Sequence, residues 1–70
     1  MMPLMLANVG EENIILKVGG KPDVKKHLED LGFVAGGSIS VISAMGGNII
    51  VNVKGTRVAI SKEMAQKIMV

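Results

Sequence analysis

From Asn13 to Val18 the chain reads Asn-Ile-Ile-Leu-Lys-Val and stops at Gly19-Gly20. A β-branched run bounded by glycines predicts a strand followed by a flexible turn. The period then changes. Val24, Leu28 and Leu31 recur at spacings of four and three, which places them on one helical face. Pro22 has a preset φ and needs no amide donor at a helix start. Asp23 puts a negative charge where the helix dipole favours one. Gly32 stands where a left-handed residue ends a helix. These signals predict a helix from Pro22 to Leu31.

Ser38 to Ala44 (Ser-Ile-Ser-Val-Ile-Ser-Ala) opens with strict alternation, the pattern of a half-buried strand. Gly46-Gly47-Asn48 is a hairpin-type turn, and Asn48 to Val53 returns as a strand. Lys54-Gly55 is a second tight turn, followed by a strand from Thr56 to Ile60. Ser61 can cap a short helix whose apolar face is Met64, Ala65 and Ile68, and Met69-Val70 is placed to close the sheet. The apolar start, Met1 to Ala7, reads as a first turn packed on the rest. Several short strands with glycine turns in one short chain predict a small closed barrel. Ile39, Val41, Ile49, Val51 and Val53 should line its core, with Leu28 and Leu31 capping one end.

Composition narrows the classes. Seventy residues make one domain, and a chain this size buries only about 60% of its unfolded surface. There is no cysteine, so disulfides and thiolate metal sites are excluded. The net charge of +2 is slight, and the lysines and Arg57 are interspersed with acids. A nucleic-acid surface would show a basic stripe with stacking aromatics; here Phe33 is the only aromatic. The N-terminus lacks a basic n-region, and no apolar run reaches the roughly 18 residues of a membrane span. No serine–histidine–acid set and no nucleotide loop is present, so an enzyme is not expected.

Two blocks carry a family likeness. One is Leu28-x-x-Leu31-Gly32-Phe33-Val34 with Gly36, and the other is Gly55-Thr56-Arg57-Val58-Ala59-Ile60. In this order, with the alternating strand and Gly-Gly turn between them, nearly the whole chain resembles the FeoA family. The resemblance implies an SH3-like β-barrel with a helix inserted after the first strand and a short C-terminal helix. It implies a cytoplasmic adaptor for ferrous-iron uptake that binds the cytosolic part of the FeoB membrane GTPase transporter and modulates transport or GTP hydrolysis. Related domains occur fused to FeoB or at the end of metal-dependent repressors; this chain has room for neither, and a free-standing domain is expected. His27 stands where the family commonly has Arg, and Asn48 where it commonly has Pro.

The candidate contact residues are His27, Leu28, Phe33, Val34, Met45 and Arg57. An adaptor without catalytic groups must act through contact area. Phe33 and Val34 either plug the barrel or present an apolar patch; one in and one out is the expectation. Met45, beside the hairpin glycines, is an exposed contact. Arg57 either meets an acidic partner surface or pairs locally, for example with Glu63. His27, with Asp23 and Asp30 on its helix, is the one candidate ligand for Fe²⁺ or Zn²⁺. A single imidazole falls short of the convergent ligand set that a selective site needs, and a solvated helix face is the plainer reading. The alternative to the adaptor is a metal-sensing regulatory SH3-like domain that binds a divalent transition metal directly. Self-association stays open.

Overall fold

In the computed structural model, which describes residues 1–70, a 3₁₀ turn (Leu4–Leu6) precedes β1 (Glu12–Ile14), β2 (Lys17–Val18) and helix α1 (Pro22–Asp30). Then come β3 (Ser38–Met45), β4 (Asn48–Val53), β5 (Thr56–Ser61), the single-turn α2 (Lys62–Ala65) and β6 (Ile68–Met69). Four strands form an antiparallel sheet in the order β1-β3-β4-β5, and β2 pairs with β6 in a second. One cluster of thirteen buried apolar residues draws on both sheets. Ile39, Val41, Ile49, Val51 and Val53 all belong to it, as the alternation predicts. The β3–β4 register slips between Val41 and Ser43, a bulge at Ile42 that bends the sheet.

The strand expected over Asn13 to Val18 is broken in two. Ile15 and Val18 are both buried though three apart, which a straight strand with a period of two does not allow. The chain changes sheets here. The Ile15 amide donates to the Gly37 carbonyl (2.9 Å), and the next amide, Leu16, donates to Met69 in the other sheet (2.7 Å). The C-terminal expectation also needs correcting. Ile68 is not on a helix: α2 ends at Ala65, and Ile68 pairs with Val18 in β6. Cross-strand pairing and full burial outweigh another helical turn. The helix start is as expected, with the Met64 amide donating to Ser61 Oγ at 3.2 Å. The chain's ends meet. Met2 and Val70 exchange two backbone hydrogen bonds (2.9 and 2.8 Å) beside a Pro3–Met69 bridge. Leu4, in the 3₁₀ turn, is fully buried.

The end of α1 decides which apolar residues enter the core. Gly32 takes a φ of +109°, and its amide donates to Glu29 (3.0 Å) while the Phe33 amide donates to Leu28 (3.0 Å). This pair of bonds is a Schellman motif, which brings the residue after the glycine against the last inward residue of the helix. Leu28 and Phe33 are accordingly both 0% exposed. Leu31 is not a cap of the barrel, contrary to expectation. It is 38% exposed, because Phe33 fills the place that the helical spacing assigned to it.

Lys54 and Gly55 both have positive φ, +53° and +74°, the type I′ turn of a two-residue hairpin. Lysine is strained there, whereas asparagine tolerates the left-handed region. Lys54→Asn is expected to raise stability by about 0.5–1 kcal/mol, read as a higher thermal midpoint. A lower midpoint would mean that the Lys54 stem, which lies beside Gly32, contributes more by packing than the turn gains.

Candidate functional site

Helix α1 lies beside β2, and between them runs a cleft of about 200 Å³ lined by Leu16, Lys17, Val18, Lys25, Glu29 and Ala35. The sheet change creates it. With Ile15 pointing into the core, its neighbours Ile14 and Leu16 are driven outward, and they are 49% and 52% exposed. Lys25 and Glu29 are four apart and share one helix face, so the apolar floor has charges of both signs along its rim. Ala35, in the turn after Phe33, closes the end. This cleft can accept an apolar side chain flanked by polar groups. No Ser, Thr, Cys or His lines it, and Glu29 is its one acid.

A second hollow, of about 160 Å³, lies on the outer face of the four-stranded sheet, among Glu12, Ser38, Ser40, Asn52 and Lys54. No histidine lines it.

The six candidate contact residues do not gather into one surface. Leu28 and Phe33 are core residues, not contact residues: the Schellman turn seals both inside. Val34 is half-buried, so the pair divides with Phe33 inside and Val34 only partly out. His27 is exposed on α1, two positions from both Lys25 and Glu29, and does not line the cleft. Met45 is 70% exposed at the β3–β4 tip. Arg57 is exposed on β5 opposite Asn52, whereas Met45 pairs with Asn48 at the other end of β4. Met64, on the apolar face of α2, packs half-buried against the core, and Met69 is half-buried in β6.

Nowhere do three or more His, Cys, Asp or Glu side chains converge. The acids near His27 leave its coordination incomplete, and the donor set of one chain does not fit a divalent ion. Sequence reasoning missed Ile14 and Leu16. Their signal was the triplet Ile14-Ile15-Leu16 itself: a half-buried strand cannot turn three consecutive apolar side chains inward.

Comparison with known proteins places this geometry. The family model for the FeoA domain matches residues 2–70. A Methanocaldococcus jannaschii protein named as Fe(2+) transport protein A is 36% identical over the whole of this chain and 85% of its own length. The crystal structure of an iron uptake regulatory protein, FeoA, superposes with a TM-score of 0.89 at 29% identity, covering 97% of this chain and 92% of that one. The zinc complex of Stenotrophomonas maltophilia FeoA, described as a procaryotic SH3 domain protein, gives a TM-score of 0.85 at 21% identity over 99% and 88% of the two chains. At that identity the last likeness concerns the fold alone.

Proposed function

The chain belongs to the FeoA family, and from that premise we propose that it is a cytoplasmic accessory protein of ferrous-iron uptake that docks on the cytosolic part of a FeoB-type transporter. The observation that carries the docking is the α1–β2 cleft with the outward Leu16 in its wall. Apolar residues ringed by polar ones are the anatomy of a contact centre and its rim. Lys25 and Glu29 form that rim, and Val34 adjoins it through Ala35. His27, Met45 and Arg57 lie outside the cleft and are secondary contacts. The protein acts by contact, altering transport or GTP hydrolysis in the transporter; the iron is the transporter's cargo.

Leu16→Glu tests the site. Leu16 is half in solvent, so the variant is expected to melt within about 0.5 kcal/mol of the parent. It should lose pull-down of the transporter's cytosolic domain and fail to rescue iron uptake. Met45→Glu, at the far hairpin tip, should retain both. A folded Leu16→Glu protein that still binds and rescues would place the docking surface elsewhere, and loss in Met45→Glu alone would move it to the hairpin.

A further inference from the structure

The α1–β2 cleft is not charged evenly along its length. The Gly36 amide donates to the Ile15 carbonyl (2.8 Å) and the Ile15 amide to Gly37 (2.9 Å). Ala35 and Leu16 therefore lie together at one end, with Glu29 near the close of α1. Gly19 and Gly20 turn the chain from β2 into α1, so the helix starts at the other end, past Val18. Lysines collect on that side. Lys17 and Lys25 line the cleft. Lys21, the N-cap residue, stands four before Lys25, on the same side of the helix. Lys67 joins them: its carbonyl accepts from the Gly19 amide (2.7 Å), and its aliphatic stem lies against Gly20. All four lysines are exposed, and none takes part in the three side-chain hydrogen bonds of the chain. Asp23 is two residues from Lys25, about 200° around the helix, and so lies on another flank. Glu29 is the one acid that faces these lysines along the cleft.

We infer that the cleft takes an acidic segment of the transporter's cytosolic part, with one aliphatic side chain set against Leu16, Val18 and Ala35 and carboxylates beside it at the lysine end. The inference rests on the docking reading above and adds the chemistry of the partner. Charge complementarity selects it. Unpaired ammonium groups on an interface rim attract a negative partner surface, speed the encounter and fix the register, and they reject a positive one. The uneven charge also sets the direction: acidic residues point toward Lys21 and Lys67, away from Glu29. The shape argues for a protein segment over the other anionic surfaces. The cleft is a recess of about 200 Å³ between a helix and a strand, which a side chain enters, whereas a lipid surface reaches only its rim. A single-stranded nucleic acid calls for stacking aromatics, and the one aromatic, Phe33, is fully buried.

Titration calorimetry of the full chain against the cytosolic domain of a FeoB-type transporter tests this. Lys17→Gln/Lys25→Gln keeps the aliphatic stems and removes two charges. It should retain the parental melting curve and bind about tenfold more weakly at low salt. Lys26→Gln/Lys62→Gln has the same net charge but touches no cleft residue, and it should bind like the parent. Glu29→Gln should bind about two- to fivefold more tightly. Raising salt from about 0.05 to 0.5 M should weaken the parent more than the Lys17/Lys25 variant. Leu16→Glu is measured alongside. If it loses binding while Lys17→Gln/Lys25→Gln binds like the parent, the acidic occupant is overturned and the cleft stands. If Leu16→Glu binds like the parent, the cleft reading fails and the inference falls with it. Equal weakening in the two lysine pairs, or weaker binding by Glu29→Gln, also overturns it. Vesicles of phosphatidylglycerol should not retain the protein; retention that Lys17→Gln/Lys25→Gln abolishes would assign the lysines to a membrane and overturn the proposal.

Discussion

Phe33→Ala is expected to lose about 3–5 kcal/mol of stability, while Leu31→Ala, two residues away, loses under about 1 kcal/mol. The contrast follows from the turn at Gly32. Phe33 is fully buried against the core and Leu31 is 38% exposed, although helical spacing alone ranks Leu31 as the inward residue. A domain of this length has on the order of 4–10 kcal/mol in total, so Phe33→Ala leaves a chain that is partly unfolded at ordinary temperature. Without Trp or Tyr, unfolding is best followed by circular dichroism in urea. Equal losses in the two variants would mean that Leu31 is inside and the Schellman turn is not formed.

Removing Ile68, Met69 and Val70 is expected to abolish cooperative folding. The deletion takes out Ile68, which is fully buried, and leaves β2 without its only strand partner. It also strips the acceptor from the Leu16 amide and removes Val70, and with it both hydrogen bonds of the Met2–Val70 exchange. The loss of Ile68 alone is of the order of 2–5 kcal/mol, and the freed backbone groups add to it. A broad, shallow thermal transition with collapsed amide dispersion in NMR spectra is the expected outcome. A sharp transition near the parental midpoint would show that the second sheet is dispensable.

Most of the architecture was legible because it rests on local periods. Alternation from Ser38 to Val53 names five core residues, and the Pro22 and Gly32 signals bound the helix to within one residue. What could not be read depends on contacts distant in sequence. The choice of Phe33 over Leu31 turns on a glycine that redirects the chain. The split between Ile14 and Lys17 depends on Gly37 and Met69 as hydrogen-bond acceptors, which no local window contains. Ile68 has a helical position in the pattern of Met64 and Ala65 but takes a strand because Val18 waits for it. The candidate site suffered most. Apolar residues in a glycine-flanked turn look alike whether they plug or protrude, and that ambiguity put Leu28 and Phe33 on the contact surface. The triplet at Ile14–Leu16 was legible in principle, and its last member, Leu16, lines the cleft.

The pairing of Lys17 with Met69, and of Met2 with Val70, also sets a timetable for the newborn chain. Synthesis runs from the first residue to the last, yet the earliest segments have no partner until the final ones have been made. Up to that moment Leu4 and Val18 lack part of their covering, and the meander must wait with one side open. Long-range closure of this kind slows folding and lengthens the exposure of sticky surface. Until β6 is available the chain therefore carries an open apolar core, and the pairing of Ile68 with Val18 and of Met69 with Lys17 is the event that shuts it.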